Sequence, residues 1–442
     1  VHWLTKAAEQ GDTCSQSKLA EFYAKGQYVT PDSSKTIHWY TKLAEQGNMK
    51  AQYKVGETYY RGKGINQNYA KAIFWFTKAA EQGDLLAQYD LGNLYFDDGF
   101  QKDTIKAVYW MTKSAEAGYP KAQLMLGLSY GSGNGIEKDS SKAEYWLTKA
   151  AEQGDGIAQN MLGESYYYGF DVIQNYSKAV YWMNKAAEQD YIFTDVQYLL
   201  ADCYYRGLGV TQDYTKAANL FEKAAMNGIV DAQYTIGKCY YTGQGVIQDP
   251  YKAALWFEIA AKQGNIDAQA ELGTCYFSGI GVEQDYEKAV YWSTKPAELG
   301  LAKSQLILGL CYIDGRGVKQ DYFKAVYWFA KAAEQGNINS KYELAILYEQ
   351  GKGVTKNKEK AFKLYLEAAN EGHVLAQKWM GTYYSNKYFS LVKGNNIQKV
   401  IKYRSYVSEA YKWFNEAAQQ GDIYSEKMSE DIRKLLIAID GY

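Results

Sequence analysis

Histidine is nearly absent from this chain: three residues in 442, at His2, His38 and His373. No HExxH, no GxSxG and no histidine placed with a cysteine in a nucleophile motif occurs. Carboxylates are plentiful, but they recur as helix caps (Asp103, Asp139, Asp249, Asp285) and just before a regularly spaced glycine. The sequence therefore offers no catalytic residue, no metal ligand and no cofactor site. Proline is scarce as well, four residues, beside 47% hydrophobic and 22% charged. That is the composition of an ordered, soluble chain. Charge of one sign is also missing: 49 basic residues face 50 acidic ones, for a net charge of −1. Such a balance excludes the basic footprint expected of a partner of nucleic acid or of an anionic membrane. No apolar run approaches the ~18–20 residues of a membrane span.

What the chain does have is a period. Asp231–Gly264, DAQYTIGKCYYTGQGVIQDPYKAALWFEIAAKQG, reads as two helices. Ala232, Ile236, Gly237 and Tyr240 share one face of the first. Gly243-Gln244-Gly245 breaks it; Asp249 caps the second, with Pro250 at its first position. Ala253, Trp256, Ala260 and Ala261 then form a stripe that stops at Gly264. The closing glycine or its equivalent recurs at Gly11, Gly47, Gly83, Gly118, Gly154, Asp190, Gly228, Gly264, Gly300, Gly336, Gly372 and Gly421. Intervals of 35, 36 or 38 residues, with a single one of 49 at the end, predict a stacked helical-repeat array. Ten of the eleven tryptophans hold one repeat position, as inter-helix wedges. Eight glycines (Gly56, Gly92, Gly127, Gly163, Gly237, Gly273, Gly309, Gly381) sit inside the first helices, where glycine costs ~1 kcal/mol against alanine. They make sense only if another helix approaches closely there.

The G-x-G loops, such as Gly207–Asp213 and Gly315–Asp321, invite a nucleotide reading. They follow helices rather than strands, no G-x-x-x-x-G-K-[ST] is present, and the glycines are explained by the turn itself. Two places break the rhythm. Pro296 stands inside a second helix and predicts a local bend. After Tyr384, the stretch 387–405 accounts for the longer last interval; Lys387, Lys393, Lys399, Lys402 and Arg404 sit there without an acid. It reads either as a binding element or as a longer surface connection. Residues 423–439 read as a helix capping the array.

The string A-Q-Y-x-L-G-x-x-Y-Y-x-G-x-G-V-x-x-D-Y-x-K-A-x-x-W-x-x-K-A-A-E-Q-G resembles the Sel-1-like repeat, a cousin of the tetratricopeptide repeat. It is explicit in Ala51–Gly83 and Ser304–Gly336, and the resemblance covers nearly the whole chain, 1–442. It implies an all-α fold: a right-handed superhelical α/α solenoid of about eleven helix pairs, with a partial N-terminal helix and a C-terminal capping helix. It also implies a bacterial protein–protein interaction scaffold, with the first helices lining the inner curve. Some relatives are cysteine-rich and cross-linked within each repeat. Here Cys203, Cys239, Cys275 and Cys311 occur once per repeat. Equivalent points on stacked helices are ~8–10 Å apart, beyond the ~7 Å reach of a disulfide. Free buried thiols lean towards a reducing, cytoplasmic compartment. The chain opens on Val1 without a methionine, so a preceding signal peptide, and with it a periplasmic or secreted location, stays open.

If Ala232, Ile236 and Tyr240 face the core, positions two, six and nine after the repeat alanine share the opposite side. The candidate partner-binding residues are therefore Tyr53, Tyr60, Tyr89, Phe96, Tyr167, Tyr198, Tyr205, Tyr234, Lys238 and Tyr241. Tyrosine totals 44 and is a residue type that carries interface energy. The sequence is read as a non-enzymatic scaffold that binds a protein or peptide in a concave tyrosine-rich groove, with an adaptor or a toxin-neutralising, immunity-type role as specific variants. The alternative is an envelope-associated protein contacting peptidoglycan or a host surface.

Overall fold

The computed structural model describes residues 1–62, 65–97, 102–189, 194–392 and 397–441; Asp190, Lys393 and Gly64 lie outside them. Helices follow one another through short turns, with no strand among the described residues. The chain divides into two compact units, Val1–Leu220 and Phe221–Tyr442. The first opens with the helix His2–Glu9 and continues in helix pairs such as Met49–Arg61 with Tyr69–Glu81 and Pro120–Ser132 with Ser140–Glu152. The second contains pairs such as Val230–Thr242 with Pro250–Lys262 and Ala302–Asp314 with Tyr322–Glu334, and ends in Ile423–Asp440. Within each unit a helix packs on the helices before and after it. This is the architecture of an α/α solenoid.

Local chemistry sets the helix ends. Asn48 accepts a hydrogen bond from the Ala51 N–H at 2.9 Å, and Asp249 one from the Lys252 N–H at 3.0 Å. Both are side-chain caps that satisfy an otherwise orphaned donor. First helices stop on a left-handed glycine, as at Gly243 with φ 76°. The helix Tyr286–Glu298 runs continuously through Pro296, at the same 13 residues as Tyr322–Glu334.

The core divides its work between two neighbouring positions. The repeated tryptophans, Trp3 apart, are buried or half-buried and reach the preceding pair: Trp75 packs against the cluster of Leu43, Ala51 and Val55, and Trp110 against that of Phe76 and Leu91. The side chain following each tryptophan is the one that fills the pair itself. Phe76, Phe257 and Phe329 are fully buried, each against a helical glycine. A Cβ on Gly56 would stand 2.6 Å from the Phe76 ring, on Gly237 2.7 Å from Phe257, and on Gly309 2.4 Å from Phe329. The close approach expected at these glycines is therefore present. The tryptophan wedges between pairs, and its neighbour fills each pair.

Buried glutamines tie the pairs together. Gln52 Nε2 donates to the Ala44 carbonyl at 3.1 Å, and its Oε1 accepts from Gln82 Nε2 at 2.6 Å. Gln233 repeats this with the Ala225 carbonyl (3.2 Å) and Gln263 (2.7 Å). Each such bond contributes ~0.5–1.5 kcal/mol net, and more is lost if a buried partner is left unpaired. Gln88 is so left: its Oε1 has no partner, because Ala117 stands where other repeats carry the second glutamine.

In the stretch 387–405 the helix Val374–Leu391 continues past the length of its counterparts, and Tyr388 is buried against Val407, Phe414, Ile432 and Ile439. The short helix Ile397–Lys402 follows. The guanidinium of Arg404 holds Asp440 at the end of Ile423–Asp440, with Nη2 to Oδ2 at 2.7 Å.

Candidate functional site

Ala232, Ile236 and Tyr240 are buried, and this orientation sets what the other side of the helix Val230–Thr242 presents. Tyr234 and Tyr241 are half-buried, their ring centroids 6.0 and 6.4 Å from that of Phe257; Lys238 is exposed and lies 5.4 Å over the Tyr234 ring. The first unit repeats the arrangement. Tyr53 and Tyr60 stand 5.6 and 6.4 Å from Phe76. Each ring therefore contacts the residue that fills the pair and keeps part of its surface exposed. Tyr89 meets Tyr119 edge-on at 5.2 Å, and Phe96 is half-buried on the neighbouring core cluster. Tyr167 pairs with Tyr176 at 5.6 Å and Tyr205 with Tyr214 at 5.3 Å; Tyr198 packs half-buried on the core. The candidate residues share one side of their helices within each unit, and none is fully exposed except Lys238.

The ninth position is held from the other direction as well. Where a loop glutamine precedes the cap it donates to the main-chain carbonyl of this position: Gln67 to Tyr60 at 2.7 Å, Gln174 to Tyr167, Gln212 to Tyr205 and Gln248 to Tyr241, the last three at 2.8 Å. These loops thus fix the backbone from which the rings project. Sequence reasoning passed over this glutamine, although the spacing V-x-Q-D recurs.

Carboxylates lie among the rings. The Tyr53 hydroxyl donates to Asp90 at 3.1 Å, and the Tyr167 hydroxyl to Asp202 Oδ2 at 2.5 Å. Burial, and then the neighbouring carboxylate, hold both phenols well above their ordinary range. Burial pushes Tyr234 up to about 12, with Glu271 adding to the effect. Burial also raises the carboxyls of Asp90 and Glu164. The phenols stay protonated donors near neutral pH, and the carboxylates are acceptors. That chemistry suits hydrogen bonding and ring contact. Among the described residues, no group of three or more His, Cys, Asp or Glu is placed to hold a metal ion. No helix among them is long and apolar enough to cross a membrane.

A second aromatic row went unnoticed in the sequence. The residue before the tryptophan is exposed on the second helices: Phe74, Tyr109, Tyr145 and Tyr181 in the first unit, Tyr291 and Tyr327 in the second. Each meets its tryptophan edge-on, at 4.8 to 5.0 Å. The signal was the aromatic at that position in repeat after repeat.

Fold and surface together define a helical-repeat protein of stacked helix pairs. The chain belongs to the Sel1 repeat family: the Sel1 repeat model matches residues 1–12, 15–48, 50–84, 85–119, 120–155, 156–191, 194–229, 230–265, 266–301, 302–337, 338–373 and 407–422. Among solved structures it is similar to c5321, a protective antigen present in uropathogenic Escherichia coli strains that displays an SLR fold. The two are 34% identical, the match covers 98% of this chain and 90% of that one, and the TM-score is 0.69. It is also similar to a Sel1 repeat protein from Oxalobacter formigenes, at 31% identity over 70% of this chain and 90% of that one, with a TM-score of 0.48. No curated protein matches the chain.

Proposed function

We propose that this chain is a protein-interaction scaffold without catalytic activity, which holds an extended segment of a protein or peptide partner along the tyrosine-rich side of its first helices. One observation carries the reading. The rings of Tyr53, Tyr60, Tyr234 and Tyr241 are packed against Phe76 or Phe257 and stay partly exposed. Side chains ordered before a partner arrives lose little entropy on binding, so their contact area converts efficiently into affinity. The carboxylates between them add acceptors for a partner's N–H groups and basic side chains. An adaptor and a toxin-neutralising, immunity-type protein are the specific roles this scaffold would fill. A second reading, an envelope-associated protein contacting peptidoglycan or a host surface, draws support from the 34% identity to a protective antigen of uropathogenic Escherichia coli.

The test uses paired variants within one unit at a time. Tyr53→Ala with Tyr60→Ala, and separately Tyr234→Ala with Tyr241→Ala, should weaken a partner identified by pull-down about thirtyfold or more, the loss expected for hot-spot residues. Helical content should stay that of the parent. Parental affinity in both pairs would move the site to the exposed aromatic row of the second helices. Turnover in a broad hydrolase screen would sink the non-catalytic reading.

A further inference from the structure

One helical glycine has no packing reason to exist. Gly131 lies in the helix Pro120–Ser132, outside the left-handed region, and a Cβ there would meet only Ala143 Cβ at 3.8 Å. The other interior glycines face a side chain at contact distance; Gly127, one turn earlier, would place a Cβ 2.8 Å from Leu147. Gly131 stands in the last turn, just before the final helical residue Ser132; glycine is a poorer helix former than alanine, so an unforced one marks space that is kept open.

The repeat register says what is missing. Gly131 occupies the ninth position, which holds Tyr60, Tyr167, Tyr205 and Phe277 elsewhere. Those rings pair with the first residue of the next helix: Tyr60 with Tyr69 at 5.9 Å, Tyr167 with Tyr176 at 5.6 Å, Tyr205 with Tyr214 at 5.3 Å, Phe277 with Tyr286 at 5.6 Å. In this repeat the second member is Ser140. Both rings of the pair are absent together, and a cavity of about 260 Å³ opens where Gly131 and Ser140 stand. Leu128, Leu147, Met161 and Phe170 line it. An apolar cavity of roughly 150 Å³ suffices to bind benzene.

The following loop helps to keep it open. Elsewhere a glycine of that loop presses on the first turn of the preceding second helix; a Cβ on Gly209 would stand 2.4 Å from the Ser177 nitrogen, and one on Gly317 2.3 Å from the Tyr286 carbonyl carbon. Asp171 holds that place here, with φ 57°, and carries a real Cβ. It bridges instead through its carboxylate, to Ser140 Oγ at 3.1 Å and Lys138 Nζ at 2.9 Å.

We infer that the vacancy at Gly131 and Ser140 is a binding pocket for an aromatic side chain, which a partner's polypeptide inserts in place of the ring pair found in four other repeats. The inference rests on the scaffold reading above and names the anchor residue of the partner it implies. The apolar lining, the open face and the match to a ring position all favour a phenyl or phenol group over an aliphatic one.

The test titrates the full chain, labelled with ¹³C at the methionine methyls, with 4-methylphenol. The Met161 resonance, assigned through Met161→Leu, should shift saturably while the other methionine signals stay still. Gly131→Tyr should rebuild the ring, raise the melting temperature and reduce the Met161 shift at least tenfold. Ser140→Tyr serves as an independent filling variant if the first does not fold. Uniform small shifts of all methionines, or a Met161 shift unchanged in the filled variants, would overturn the pocket. A filled variant that no longer takes 4-methylphenol but captures the partner with parental affinity would overturn the anchor and leave the scaffold reading standing. Loss of capture in the tyrosine variants alone would have the same two consequences.

Discussion

Gly127 and Gly131 sit one turn apart in the helix Pro120–Ser132, and replacing each by alanine should change stability in opposite directions. Helix propensity favours alanine at both by ~1 kcal/mol. At Gly131 nothing opposes it, since the new Cβ meets only Ala143 at 3.8 Å; the variant should gain ~0.5–1 kcal/mol. At Gly127 the new Cβ would fall 2.8 Å from Leu147 Cγ and 3.2 Å from the Leu147 main-chain nitrogen. A rotamer change could free the first contact but not the second, so the helix Ser140–Glu152 must give way. Overpacking of this kind costs ~1–3 kcal/mol, which outweighs the propensity gain. The two variants should therefore differ by about 1–3 kcal/mol, several degrees in the melting temperature of a chain this size. Repeat arrays need not unfold in one step, so hydrogen exchange across residues 120–152 should accompany the urea melt. A Gly127→Ala variant at least as stable as Gly131→Ala would refute the argument that the helical glycines exist for close approach.

Other consequences can be measured directly. Ala117→Gln supplies the partner that Gln88 Oε1 lacks and should add ~0.5–1.5 kcal/mol to stability; an unchanged denaturation midpoint would count against the glutamine ladder. His373 caps the helix Val374–Leu391 through Nδ1, which accepts from the Ala376 N–H at 3.2 Å, and its ring stacks on Tyr342 at 4.4 Å; burial lowers its pKa. A depressed histidine contributes stability that is present above its unfolded value of about 6.5 and is lost as pH falls below it. Melting should therefore fall from pH 7 to pH 5 by more in the parent than in His373→Asn, and equal falls would refute the cap. Cys203, Cys239, Cys275 and Cys311 are buried, which pushes their thiols up to about 12 for the first and about 11 for the others. They should react with a thiol reagent only on denaturation, after the exposed Cys14, and disulfide-linked pairs in an intact-mass measurement would contradict the packing.

Much of this was legible from spacing. A recurring glycine and a recurring tryptophan are enough to predict helix pairs, because the period carries the packing plan. Caps at Asn48 and Asp249 follow from residue type alone. Less legible was which of two adjacent residues fills the pair: Trp256 looks the larger wedge, yet Phe257 is the side chain facing Gly237. Helical phase, rather than size, decides that, and one residue of rotation is below the resolution of a pattern argument. The half-burial of the tyrosine side depends on the neighbouring second helix, which a single-helix pattern does not contain. The aromatic row before the tryptophans escaped because its exposure depends on how neighbouring helices pack, which the pattern of one helix does not contain. The vacancy at Gly131 was invisible for another reason: a missing ring shows only against the repeats that carry one there, as at Tyr60, Tyr167, Tyr205 and Phe277.

Repetition also decides where function should be sought. Tyrosine fills the eighth position after the repeat alanine in pair after pair: Tyr59, Tyr130, Tyr166, Tyr240, Tyr312 and Tyr348 among them. Each lies under a lysine of the next helix, from Lys360 at 4.4 Å over Tyr348 to Lys142 at 5.3 Å over Tyr130. Such constancy has a complete structural explanation, because every pair needs the same cation–π contact to seat its second helix. The ninth position behaves differently. Its side chain ranges over Tyr60, Phe96, Gly131, Ile313, Glu349 and Ser385, and where a glutamine precedes the next cap it holds the carbonyl of this residue, as at Tyr60 and Ile313. Packing plainly tolerates glycine, serine and a carboxylate there. Rings at Tyr60, Phe96, Tyr167, Tyr205 and Tyr241 are therefore not demanded by the stack, and an aromatic that the fold does not require is one that the surface uses. By this reasoning the abundance of tyrosine is two populations, one that builds the repeat and one that the proposed scaffold would offer to a partner. The boundary between them runs between two adjacent residues of the same helix.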